Sequence, residues 1–159
     1  MEFEITNRPR FFFKETTRIP HGSLNEKALS DYVVELAKKL GYQYKQDEMY
    51  NVIVYKPASA GYEDFKPLVI QAHLDMVCEK NKDCDLDFEK DPLRLYVDDE
   101  GWLKAKGTTL GADDCHGVAY MLAILEDKTL NHPALECIFT VQEEIGLIGS
   151  MYIKAEDVK

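Results

Sequence analysis

Apolar side chains recur at Ala28, Leu29, Tyr32, Val33, Leu36, Ala37 and Leu40, a spacing that gathers them on one stripe of a helix over residues 24 to 40. Both ends are marked. Ser23 followed three residues later by Glu26 fits a capping box, and Gly41 stands where a left-handed residue closes a helix. Upstream, Phe11, Phe12, Phe13 and Ile19 supply apolar anchors, with Pro20-His21-Gly22 as the turn leading in. Beyond the helix the period changes. Asn51 to Tyr55 predicts a strand, stopped by Lys56-Pro57 and a loop running to Lys66-Pro67. Leu68 to Gln71 is a short, nearly continuous apolar run, which suits a strand covered on both faces. Leu93 to Val97 and Leu103 to Lys106 flank Asp98-Asp99-Glu100-Gly101 and predict a hairpin. Gly117 to Glu126 is apolar enough for a buried helix, and Leu135 to Val141 predicts a further strand. The order is that of a mixed α/β sheet flanked by helices.

At 159 residues, with 45% hydrophobic and 30% charged side chains, the chain is expected to form one domain or a large part of one. No repeat or linker divides residues 1–159. Nineteen basic against 29 acidic residues give a formal charge of −10, which repels phosphate backbones and anionic membranes, so neither nucleic acid nor membrane is an expected partner. The same carboxylates would attract divalent cations. Cys78, Cys84, Cys115 and Cys137 form no Cys-x-x-Cys pair, and the start Met1-Glu2-Phe3-Glu4 lacks a basic leader and apolar core. Free thiols and a cytoplasmic setting are the expectation, and no apolar run approaches membrane-spanning length.

Three segments place chemistry at predicted strand or loop ends: Gln71-Ala72-His73-Leu74-Asp75, Leu110-Gly111-Ala112-Asp113-Asp114 and Val141-Gln142-Glu143-Glu144. His73 and Asp75 lie two apart, so on an extended segment they point the same way, and a carboxylate there can fix a ligand histidine's ring. The strand before them delivers both to its C-terminal end, where open α/β sheets bind ligands. Asp113 and Asp114 precede the apolar helix, where both could cap it; Asp113 could instead bridge two cations about 3.5–4 Å apart. Glu143 and Glu144 close an apolar strand, either solvated there or dividing labour between ligating a metal and acting as general base on a bound water.

The order of these segments, together with Ile19-Pro20-His21-Gly22-Ser23, His73-Leu74-Asp75-Met76-Val77-Cys78-Glu79-Lys80, Asp87-Phe88-Glu89-Lys90-Asp91-Pro92 and Lys106-Gly107-Thr108-Thr109-Leu110-Gly111-Ala112-Asp113, resembles the co-catalytic zinc aminopeptidase and carboxypeptidase family, most closely its aminoacyl-histidine dipeptidase (carnosinase-like) branch. The resemblance runs over nearly the whole chain and implies the N-terminal part of a zinc-peptidase-like catalytic domain. It implies that His73 binds one metal, Asp113 bridges two, Glu144 binds the other, Glu143 is the general base and Asp75 orients the site. The implied cofactor is a pair of Zn2+ ions, with Co2+ or Mn2+ as alternatives. The implied substrate is an unblocked dipeptide such as carnosine, and the implied complete enzyme is a homodimer.

Two departures qualify these expectations. The family usually has Asn-Gly after its bridging aspartate, whereas Asp114-Cys115-His116 follows here and could shift metal preference or weaken catalysis. The family also needs a further carboxylate ligand, a second histidine and an inserted dimerisation domain, none of which occurs before Lys159. The expectation is therefore an incomplete portion with little or no activity. The rival readings are a related tripeptidase, carboxypeptidase or deacylase, and a non-catalytic truncated metal-binding module.

Overall fold

A computed structural model describes residues 7–158. Helix α1, Arg8–Thr16, opens with the Asn7 side chain accepting the Arg10 N–H (3.0 Å) and with a proline in its first turn. Nine residues are too few to hold a helix in water. Phe12 and Phe13, both buried, dock it on the third helix instead. Helix α2, Lys27–Leu40, buries Leu29, Val33, Val34 and Ala37 and ends at Gly41 with φ 76°, the left-handed cap its sequence predicts.

The predicted capping box is not formed. α2 begins at Lys27, Glu26 makes no side-chain cap, and the carboxylate of Glu26 and the hydroxyl of Ser23 are each bonded elsewhere. Strands β1 (Gln43–Gln46), β2 (Val52–Lys56), β3 (Leu68–His73) and β6 (Leu135–Thr140) form one sheet in the order β1-β2-β6-β3. β2 runs antiparallel to β1 and β6, while β3 and β6 are parallel, so the sheet is mixed as expected. Strands β4 (Leu95–Val97) and β5 (Leu103–Ala105) make the separate hairpin around Asp98 to Gly101.

Helix α3, Ala112–Glu126, packs against β3, α1 and α2, and α2 packs against β1 and β2. The three helices therefore share one face, above Val52, Val54, Ala72, Leu135, Cys137 and Phe139. On that face Lys56 Nζ donates to the Ile124 and Asp127 carbonyls at 2.7 and 2.5 Å, closing the C-terminal end of α3 with a cation. The opposite face carries Val69, Gln71 and His73 beside Glu136, Ile138 and Thr140. Expected to be covered on both faces, β3 is instead an edge strand among the described residues, with Leu68 and Val69 51% and 42% exposed. Continuous apolarity marks a strand without telling what covers it.

After β6 the chain turns sharply and enters a short 3-10 segment, Gly149–Tyr152. A Cβ on Gly149 would lie 2.1 Å from the Val141 carbonyl oxygen and 2.8 Å from Asn51 Oδ1, leaving no room for a side chain. Gly149→Ala is expected to cost about 3 kcal/mol or more, lowering the midpoint of thermal unfolding by roughly 6–12 °C. Calorimetry showing an unchanged midpoint would contradict the close approach.

Candidate metal centre

β3 ends on His73 and β6 on Thr140, paired side by side in parallel register. Both strands thus release their following residues at one edge of the sheet, and α3 begins at the same place. Four of the predicted residues meet there. His73 Nε2 lies 3.0 Å from Asp113 Oδ1 and 3.8 Å from Glu143 Oε2. One donor atom each from His73, Glu143 and Glu144 lie within 4.8 Å of one another. His73 is buried and the Asp113 side chain is 88% exposed, so the cluster opens to solvent on its aspartate side.

Asp75, the fifth predicted residue, lies fully buried beneath them. Its carboxylate accepts the Ser23 hydroxyl at 2.7 Å, the Glu143 N–H at 2.9 Å and the Glu144 N–H at 3.1 Å. Burial works against its charge, yet these bonds and the nearby His73 ring outweigh burial and hold it down at about 2. The expected ring-fixing role is shared differently. His73 Nδ1 bonds the backbone carbonyl of Asp75 at 2.9 Å, while the carboxylate stands 3.5 Å away. With its Nδ1 hydrogen so engaged, the ring turns Nε2 toward Asp113 and Glu143. Burial also opposes a charged His73, but the hydrogen bonds to Asp75 and Asp113 outweigh it and raise the ring to about 9. Glu144 is raised by desolvation, with Asp113, Glu143 and Asp75 adding repulsion that His73 only partly offsets.

The first four residues after β6 have their backbone N–H groups held by side chains. Four successive backbone N–H groups find acceptors far away in sequence: Val141 on Asn51 Oδ1 (3.0 Å), Gln142 on Glu26 Oε1 (3.0 Å), and Glu143 and Glu144 on Asp75. Asn51 is held in turn, its Nδ2 donating to Asp47 and to the Gly149 carbonyl. Gln142 and Leu147 adopt φ of 54° and 60°, left-handed conformations that a non-glycine residue keeps only when its surroundings insist. Sequence reasoning missed Glu26 and Asn51 as parts of this site. Their only signal was a buried-type position occupied by a polar residue, which is invisible without the fold.

Asp114, Cys115 and His116 add no donor to the cluster. Asp114 accepts the Gly117 N–H at 3.1 Å, the helix-capping alternative, and approaches the His73 amide at 3.4 Å. Cys115 turns into the core, its sulfur 3.0 Å from His21 Nε2, and burial pushes its thiol to about 12. His116 lies between the rings of Phe13 and Tyr120. The Asp113–Asp114 peptide is cis, and both residues have non-helical φ and ψ inside α3. All four cysteines are free thiols, as expected.

A groove of about 360 Å³ lined by Gln71, His73, Thr140, Val141, Glu143, Leu147 and Ser150 runs alongside the cluster. A larger concavity, about 480 Å³, sits at the other end of β6 among Gly41, Tyr55, Lys56 and Glu136, away from the convergent carboxylates. The chemistry singles out the smaller one.

No family model matches the chain. It is 47% identical over 138 residues to the cytosol non-specific dipeptidase of Escherichia coli, a match covering 87% of this chain and 28% of that protein. Its fold superposes on aminoacylhistidine dipeptidase from Vibrio alginolyticus with a TM-score of 0.89 at 44% identity, over 92% of this chain and 30% of that one. A tripeptidase from Staphylococcus aureus shares the fold at a TM-score of 0.79 and 24% identity, over 99% of this chain and 42% of that one. The chain thus spans less than a third of the length of the two dipeptidases it matches.

Because His73 holds its proton up to about 9, a cation arriving at Nε2 below that pH must displace it. Apparent Co2+ affinity is therefore expected to rise with pH, by up to about tenfold per unit between pH 6.5 and 9, and to level off above. Titrations at three pH values check the slope; affinity that is flat or falls with pH would contradict it.

Proposed function

We propose, from the kinship of this chain with the aminoacyl-histidine dipeptidase branch of the co-catalytic zinc peptidases, that the whole protein hydrolyses dipeptides at a binuclear metal site. The observation that carries this is the convergence of His73, Asp113, Glu143 and Glu144 above the buried Asp75, in a chain 47% identical to a dipeptidase.

The residues suit a divalent metal. An imidazole with Nδ1 engaged offers Nε2 as a ligand, and carboxylates that repel one another leave a cation as their natural partner. In this reading His73 would hold one ion, Asp113 would be shared between two, and Glu144 would hold the second. Zn2+ fits this mixed nitrogen and oxygen set, with Co2+ or Mn2+ as alternatives. When bound, such a pair supplies Lewis-acid polarisation of a peptide carbonyl and makes water acidic at neutral pH. Glu143 is the general base: its Oε2, 3.8 Å from His73 Nε2, takes a proton from the attacking water and returns it to the leaving amine. Asp75 keeps the Glu143 and Glu144 backbone in place throughout.

Each ion would find two donors here, His73 with Asp113 for one and Asp113 with Glu144 for the other. A catalytic zinc typically has about three protein ligands. We therefore propose that residues 1–159 are the N-terminal part of the catalytic domain, that the whole protein supplies the remaining donors, and that this chain alone turns over little or no dipeptide. Histidine-containing dipeptides such as carnosine are the first substrates to try, and a homodimer is the expected state of the whole enzyme. A cytoplasmic setting is supported by the cytosolic relative and the free thiols. Among the described residues no helix is long and apolar enough to cross a membrane.

In the whole protein, Glu143→Gln should lower kcat on dipeptides by roughly 10²–10⁴-fold while bound metal, measured by elemental analysis, stays unchanged. Full activity in that variant would remove Glu143 from its role. A panel of dipeptides, tripeptides and acylated amino acids in which only the latter two are cleaved would replace the dipeptidase reading with one of its relatives.

A further inference from the structure

We propose that Ser23 and Glu26 are positioning residues for the metal centre: they register the Gln142–Glu144 turn against the strand and helix that carry His73 and Asp113. The inference rests on the metal-site reading above.

Glu26 is 3% exposed and caps nothing, although it stands at the N-cap of α2. A buried carboxylate without compensating bonds is costly. This carboxylate is met by the backbone N–H groups of Glu26 itself, Leu24 and Gln142, the last at 3.0 Å, and Gln142 is the residue whose left-handed φ of 54° starts the turn to Glu143 and Glu144. Ser23, three residues earlier, donates to the same Asp75 oxygen that receives the Glu144 N–H. Two side chains of one loop thus act on three consecutive amides, one directly and one through Asp75.

That loop is itself pinned to the other two elements of the site. The Met76 N–H donates to the His21 carbonyl at 3.1 Å, fixing the loop to the extension of β3 just beyond Asp75. The His21 ring spans Ile19 and α3: Nδ1 lies 2.5 Å from the Ile19 carbonyl, and Nε2 accepts the Cys115 thiol at 3.0 Å. Gly22 passes so close to Cys78 that an added Cβ would sit 2.6 Å from its sulfur. The Asn25 N–H closes the turn onto the Gly22 carbonyl at 2.8 Å. The loop from His21 to Glu26 therefore touches the His73 strand, the Asp113 helix and the Glu143 turn, and fixes the distance of the third from the first two.

The test separates reach from charge. Glu26→Gln keeps an acceptor at the same reach, whereas Glu26→Asp keeps the charge but withdraws the acceptor by one methylene. Co2+ binding to the whole protein is followed by visible absorption, with exchange of the Gln142 amide and thermal unfolding of the metal-free protein measured alongside. Glu26→Asp and Ser23→Ala should weaken Co2+ binding by about 10–100-fold at temperatures where each variant is fully folded. Glu26→Asp should also speed exchange at Gln142, and Glu26→Gln should retain near wild-type affinity and spectrum. Equal Co2+ affinity and spectrum in wild type, Glu26→Asp and Ser23→Ala, with His73→Ala still abolishing binding, would overturn the positioning role and leave the metal site standing. If wild type fails to bind Co2+, or His73→Ala binds as wild type does, the metal reading falls and the positioning role with it.

Discussion

A buried, ionised carboxylate sets the terms for the rest of this molecule. Asp75 has no contact with water, and an unpaired charge in that position would cost several kcal/mol. Its charge is kept by the Ser23 hydroxyl, the Glu143 and Glu144 amides and the adjacent His73 ring. Each of those groups stays within 3.5 Å of the Asp75 carboxylate at the C-terminal edge of the sheet. The constraint runs both ways: a carboxylate that needs these donors holds a turn that would otherwise have no reason to fold.

That turn stores its precision in side chains. Helices and strands satisfy their amides through their own ladders, but the four residues after β6 rely on Asn51, Glu26 and Asp75, drawn from three separate parts of the chain. Left-handed backbone at Gln142 and Leu147 costs of order 1–3 kcal/mol per residue, sustained by these bonds and by the close approach of Gly149. Above the turn the opposite holds. The carboxylates of Asp113, Glu143 and Glu144 face one another and a single buried donor, the His73 ring, an arrangement that a cation would relieve.

The sheet shows the same division. Its helix-covered face is packed with fully buried Val52, Val54, Cys137 and Phe139, and the cation of Lys56 closes the far end of α3. Its other face carries His73 and Gln71 beside the groove, and its β3 edge leaves Leu68 and Val69 exposed within a chain spanning less than a third of its dipeptidase relatives. His73 and the convergent carboxylates lie at the end where the parallel strands stop.

Periodicity was enough for most of the elements. The stripe from Ala28 to Leu40, its Gly41 cap, the strands expected over 51–55 and 135–141 and found within a residue of those bounds, and the hairpin around Asp98 follow from local spacing, because side-chain burial repeats with the backbone's own geometry. The gathering of His73, Asp75, Asp113, Glu143 and Glu144 was legible from motifs at predicted strand ends. What local pattern could not show was the use of groups whose partners lie far off. Ser23 and Glu26 have the spacing of a capping box, yet Asp75 and Gln142, 52 and 116 residues away, claim them. Cys115 and His116 follow a site aspartate in sequence, yet one turns into the core and the other onto aromatic rings. The sequence alone marked most of the helix and strand segments and which residue types could ligate, since those depend on neighbours in the chain; α1, too short to hold itself, is helix because Phe12 and Phe13 dock it, and β1 is a strand through its pairing with β2. Only the tertiary structure decided which acceptor each buried donor meets, because that choice depends on distances between segments that nothing local encodes.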